Sequence, residues 1–116
     1  MPSFNRFIGI GHLTRTPELR YTPQGTPILT GGLAMNRRFK QGDDLKEEVC
    51  FIDFTVWGKQ AEAMGQYTVK GDPIMLEGRL TQRSWETTDG QKRHKHEITV
   101  EAFQLLKGKE RAGGDA

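Results

Sequence analysis

Val49-Cys50-Phe51-Ile52-Asp53-Phe54-Thr55-Val56-Trp57 alternates residue by residue, the period of a β-strand whose two faces meet different surroundings. Cys50, Ile52, Phe54 and Val56 make an apolar face suited to a barrel interior, which makes Cys50 inert packing. Phe51, Asp53, Thr55 and Trp57 make the other face, polar apart from two large aromatics. Exposed aromatics need cover, from a partner subunit, a loop, or something flat such as a nucleic-acid base.

Residues 5–13 read as another strand, with Ile8 and Ile10 on one face. Residues 18–21 are extended, and Thr22-Pro23-Gln24-Gly25 is a turn. Residues 27–36 form a second strand, in which Gly31-Gly32 marks a bulge or a close backbone contact. Residues 37–48 read as a long polar loop. Residues 58–69 are the helix candidate, on the spacing of Ala61, Met64 and Thr68, and Gly71-Asp72-Pro73 ends it. Residues 74–80 form a strand with Ile74, Leu76 and Leu80 on one face. It continues through 82–85 to a polar tip at 86–93, where Asp89-Gly90 signals a hairpin. Residues 94–106 return as the last strand. Three strands, one helix and two strands predict an all-β protein with one short helix, a five-stranded OB-fold built as a Greek-key β-barrel. An open α+β sheet has the same order of elements.

Size and composition agree with one domain. The chain has 116 residues, 34% hydrophobic and 28% charged, enough for one modest core. It has no apolar run of bilayer length and no signal-peptide apolar region, so a cytoplasmic location is expected and a membrane is not. The single cysteine excludes an internal disulfide framework. Net charge is only +2, but the charges are segregated. Residues 1–40 carry Arg6, Arg15, Arg20, Arg37, Arg38 and Lys40 against Glu18. Residues 79–95 carry Arg79, Arg83, Lys92, Arg93 and Lys95 against Glu86 and Asp89. Acids collect in 43–53. Such a pattern suits a positive track for a polyanion as well as an ordinary solvated surface.

No enzyme site is expected. His94 and His96 share a strand face but have no nearby cysteine or carboxylate ligand pair, so no metal is expected. No phosphate-binding glycine loop or nucleophile elbow is present, and no cofactor is implied. Binding is better supported. Besides Phe51 and Trp57, aromatics sit among cations in Arg37-Arg38-Phe39-Lys40 and Arg83-Ser84-Trp85. Cations grip phosphates while aromatics stack bases, a combination that suits unpaired strands and not duplex DNA.

The chain also carries the longer segments Gly11-His12-Leu13-Thr14-Arg15-Thr16-Pro17-Glu18-Leu19-Arg20-Tyr21, Leu33-Ala34-Met35-Asn36-Arg37-Arg38-Phe39, Trp57-Gly58-Lys59-Gln60-Ala61-Glu62 and Glu77-Gly78-Arg79-Leu80. With Phe51-Ile52-Asp53 and Asp89-Gly90-Gln91-Lys92, the chain resembles the bacterial-type single-stranded DNA-binding proteins (SSB) from about Asn5 to Leu106. The resemblance implies an OB-fold domain over 1–106 and a homotetramer, a dimer of dimers. It implies sequence-independent binding and protection of single-stranded DNA in replication, recombination and repair, in the cytoplasm at the nucleoid. It places the stacking aromatics at Phe39, Phe51, Trp57 and Trp85. Phosphate contacts are expected from Arg6, Arg20, Lys59, Lys70 and Arg83, with Arg37, Arg38, Arg79, Lys92 and Arg93 completing the basic track. The rival is an SSB-related OB-fold accessory protein that acts mainly through protein contacts.

Departures from the family pattern carry expectations too. Val69 and Thr81 stand where basic residues are common, which weakens the track. Gly9 and Gly31 replace larger apolar residues, so the core is expected to be thinner or repacked. Residues 107–116 read as a short flexible tail without the family's acidic tip, and tip-mediated recruitment of repair and replication enzymes is not expected of them.

Overall fold

The computed structural model describes residues 1–107. Their elements are β1 (Phe7–Leu13), β2 (Glu18–Tyr21), β3 (Pro27–Gln41), β4 (Asp44–Trp57), α1 (Lys59–Tyr67), β5 (Pro73–Glu86) and β6 (Lys92–Leu105). Strands β1, β5, β6, β4 and β3 are hydrogen-bonded in that order, and β1 closes back on β3. Five strands therefore make a barrel, with β2, the predicted extended segment, added along the outer edge of β3. β4 and β6 run parallel while the other pairs are antiparallel. With α1 between the third and fourth barrel strands, this is the OB-fold, and the open-sheet alternative falls.

Along β4 the face of Ile52, Phe54 and Val56 points inward as its alternation predicts. Phe54 and Val56 are fully buried, and Ile52 packs against them. Leu29 and Leu33 from β3, Ile74 and Leu76 from β5, and Ile98 and Val100 from β6 complete the barrel interior. Burying each large apolar side chain contributes about 1.5–3 kcal/mol. α1 packs on β2, β3 and β4 and buries Ala61 and Met64; Thr68, just beyond it, is buried too, and its hydroxyl donates to the Met64 carbonyl at 2.7 Å.

The core is repacked rather than thinned. A Cβ on Gly31 would come 2.6 Å from the Phe54 ring across the β3–β4 pair, and one on Gly9 would meet Phe7 and sit 2.9 Å from the Met35 sulfur. Larger neighbours occupy the space that these glycines leave. Of the two readings of Gly31-Gly32, close contact holds, since β3 and β4 pair in unbroken register. The bulge lies instead on β6, where Glu77 pairs with Ala102 and Gly78 with Val100. It flips the inward face of β6 from Ile98 and Val100 to the part-buried Phe103 and Leu105.

Three expectations are corrected. Residues 37–48 are not a loop: β3 and β4 continue as a hairpin to a two-residue turn at Gly42-Asp43, with Arg37 opposite Glu48 and Arg38 opposite Glu47. Cross-strand charge pairs make the segment polar without breaking the ladder, and Gly42 supplies the positive φ of the turn, 64°. Cys50 keeps its place in the alternation but is exposed, because β4 has left the barrel by that point. Leu80 likewise emerges at the barrel's end and is half exposed. The Asp89-Gly90 hairpin holds: Gly90 N–H donates to the Thr87 carbonyl at 3.0 Å, between β5 and β6. The predicted tail, apart from Lys107, lies outside the described residues.

Candidate nucleic-acid interface

The four aromatics occupy two settings. Phe51 and Trp57 stand on the outer face of β4, 71% and 52% exposed. Six residues of strand separate them by roughly 20 Å, too far for one base to touch both. Phe39 and Trp85 stand on the hairpin arms, each beneath an arginine of its own strand. The Arg37 guanidinium lies 4.8 Å from the Phe39 ring centre, and that of Arg83 lies 5.6 Å from Trp85. Each such contact is worth about 0.5–1 kcal/mol at an exposed site, less than base stacking, about 1–3 kcal/mol.

Strand register decides which of them share a face. Asp53 pairs with Glu97, and Arg83 with Lys95, and Trp85 with Arg93. Phe51, Trp57 and Trp85 therefore face outward on the β4–β6–β5 surface. Phe39 and Arg37 alternate with that surface, continuing the pleat face that carries Leu33 and Met35 inside the barrel. The structure does not bring Phe39 together with the other three.

The cations divide in the same way. Arg20 shares a row with Ile28 and Trp57 across β2, β3 and β4. Lys59 opens α1 just beyond Trp57. Lys70 sits after the helix, its N–H bound to the Thr16 hydroxyl at 3.0 Å. Lys92, Arg93, Trp85 and His94 line one concavity at the β5–β6 tip. Arg38 lies on the β3–β4 arm. Arg79, opposite Thr99 in the row that leads to Thr55, shares the outer surface with Arg83 and Trp85 and is held by Glu101, while Glu77 holds Arg6 on the β1–β5 side.

Segregation along the chain does not survive folding. Glu48 pairs with Arg37 at 3.2 Å, Glu18 with Arg20 at 2.9 Å, and Asp53 with Lys95 at 2.5 Å and Arg15 at 3.6 Å. Exposed pairs of this kind contribute about 0–1 kcal/mol, so a polyanion can exchange for the carboxylates. The hydrogen bond from Lys95 holds the Asp53 carboxyl below the usual carboxylate range; partial burial opposes this, and the Lys95 and Arg15 charges add to it. The stacking and phosphate-contact residues expected from the sequence do not include Arg15, Asp53 and Lys95. Alternation on β4 puts Asp53 between Phe51 and Trp57, but nothing local joins it to Arg15, which is 38 residues away in sequence, or to Lys95 at 42. His94 and His96 are exposed, and no group of three or more metal-ligating side chains forms among the described residues.

Comparison with known proteins agrees. Residues 4–106 match the model of the single-strand binding protein family. A single-stranded DNA-binding protein of Helicobacter hepaticus is 50% identical over 107 residues, covering 91% of this chain and 63% of the relative. One of Wolinella succinogenes is 47% identical over 107 residues, covering 91% and 66%. The chain thus spans somewhat less than two thirds of the length of these curated relatives. Among solved structures, the Plasmodium falciparum SSB complex with ssDNA has a TM-score of 0.83 at 22% identity, covering 92% of this chain and 98% of that one, a likeness of fold. With the barrel, the family match and relatives at this identity in agreement, the chain belongs to the single-strand binding protein family.

Proposed function

We propose that this chain binds single-stranded DNA without sequence preference and protects it during replication, recombination and repair. One observation carries the reading: Phe51, Trp57 and Trp85 stand exposed on a single outer surface interleaved with cations. Every base has a π-face, so such a platform stacks unpaired bases whatever their identity, while duplex DNA hides those faces. The names of the relatives and the DNA in the Plasmodium complex support the same reading. Phe39, Phe51, Trp57 and Trp85 stack bases. Arg6, Arg20, Arg37, Arg38, Lys59, Lys70, Arg79, Arg83, Lys92 and Arg93 meet phosphates, once their carboxylate partners are exchanged. The binding domain is 1–106, it performs no catalysis, and it works in the cytoplasm at the nucleoid. None of the described helices is long and apolar enough to cross a membrane.

The working unit is a homotetramer, a dimer of dimers. Ile8 and Ile10 on β1 are 61% and 62% exposed, and β1 pairs with β3 only at His12 and Leu13, so its edge over residues 7–11 is open. An open edge beside an apolar face favours symmetric association.

Titration with oligo(dT), followed by tryptophan fluorescence, tests the function. Saturable quenching that weakens with salt is the expected result; unchanged fluorescence at low salt contradicts it. Light scattering tests assembly, and a monomer at micromolar concentration overturns the tetramer.

A further inference from the structure

Between Phe51 and Trp57 the outer surface is not flat. A groove of about 190 Å³ opens there, lined by Arg15, Asp53, Thr55, Arg83, Lys95 and Glu97. It is smaller than the roughly 300–1,000 Å³ of small-molecule pockets, and its polar lining is unlike theirs. Its size and charge suit one phosphate group with a few waters, each about 30 Å³.

Three strands and a loop build it. Lys95 and Arg83 pair across β6 and β5, and Asp53 is the neighbour of Glu97 across β4 and β6. Arg15 arrives from the turn between β1 and β2, crossing β3 at Gly32, which pairs with Asp53. A Cβ at Gly32 would sit 2.8 Å from the Arg15 guanidinium and would clash with the Thr14 hydroxyl. Absence of a side chain there is what lets Arg15 reach the carboxylate. Two cations thus converge on one acid, Lys95 at 2.5 Å and Arg15 at 3.6 Å, with side chains 35%, 50% and 41% exposed for Lys95, Arg15 and Asp53.

We infer that Arg15 and Lys95 form a phosphate subsite for the strand that spans Phe51 and Trp57, and that Asp53 is its internal counter-ion, displaced when the phosphodiester enters. This deepens the single-stranded DNA reading and rests on it. Any strand stacked on both rings must cross the groove, because roughly 20 Å of β4 lies between them. The Asp53 carboxylate occupies the place of the phosphate oxygens, keeping both cations oriented while it competes with the ligand. Arg83 belongs to the groove and to the Trp85 contact, and so joins the subsite to the β5–β6 arm.

The test measures oligo(dT) affinity as a function of salt for wild type, Arg15→Ala, Lys95→Ala and Asp53→Asn, with melting curves for each. Each phosphate contact contributes about −0.7 to the slope of log affinity against log salt. Arg15→Ala and Lys95→Ala should each flatten the slope by up to that amount and weaken binding. Asp53→Asn should bind roughly two- to five-fold more tightly, the range of an exposed ion pair. Should Lys95→Ala fold poorly, Lys95→Gln keeps most of the stem and loses the charge. Wild-type binding with a normal salt slope that neither cation variant alters would overturn the subsite and leave the DNA reading intact. Weaker binding by Asp53→Asn would overturn the counter-ion role. Wild type that fails to bind oligo(dT) at all would remove both.

Discussion

Inside the barrel, alternate residues of β3 and β4 are lost to solvent completely: Leu29, Leu33, Phe54 and Val56 are at most 1% exposed. A few residues further along the same two strands, from Asp44 to Phe51, every β4 position is exposed. Hydrogen-bond register is unbroken through both regions. A hydrogen-bonded ladder can therefore run well beyond the core that stabilises it. The barrel is held by burial. The arms are held by backbone pairing, cross-strand charges and arginine–aromatic contacts, and a bound polyanion can exchange for the carboxylates of the charge pairs.

That contrast is broken most sharply at Phe54. Phe54→Ala should cost about 3–5 kcal/mol of stability in urea denaturation, through the cavity left against Gly31, Leu29 and Leu33. A loss below about 1 kcal/mol would mean that the barrel is no better packed than the arms.

Next in size is the outer face of β4, the wall that carries Phe51 and Trp57. Trp57→Ala should lower affinity for oligo(dT) by about 1–3 kcal/mol and leave the melting temperature nearly unchanged. Equal loss of stability would place Trp57 with the core. On the arms, Glu48→Gln removes the partner of Arg37, and its effect on stability should stay under about 1 kcal/mol; a larger loss in denaturant would show that charge pairs hold the hairpin firmly.

The smallest effect is a pH dependence. Hydrogen bonding to Lys95 depresses the Asp53 pKa in the folded state, so its contribution is present above the ordinary carboxylate value, ~3.9, and is lost as pH falls below it. Asp53 is partly exposed, so the contribution is a few tenths of a kcal/mol. Asp53→Asn should remove that part of the acid-induced loss measured by urea midpoints; an identical pH profile in wild type and variant would dissolve the Lys95 contact.

How much of this was legible in the sequence follows the same divide. Where burial alternates, the period of two identified the inward residues Ile52, Phe54 and Val56. Helical spacing likewise identified Ala61, Met64 and Thr68. Where burial ends, hydrophobic pattern is silent. The β3–β4 arm read as a loop because its cross-strand partners are charged, although Gly42-Asp43 was a usable hairpin signal. Cys50 misled because alternation continues past the barrel, while the cover does not. The aromatics were visible as types beside cations. That Phe39 faces away from the other three is a matter of register, and the Arg15–Asp53–Lys95 contact is a matter of tertiary approach over Gly32.

One strand of DNA should engage the β4 face and the β5–β6 arm together. The chain has two tryptophans, Trp57 on the wall and Trp85 on the β5–β6 arm, so Trp85→Phe and Trp57→Phe each leave one reporter while keeping an aromatic ring in place. Titrating both variants with oligo(dT) should quench both reporters, with coincident midpoints. Quenching of one tryptophan while the other stays unchanged at saturation would contradict the claim.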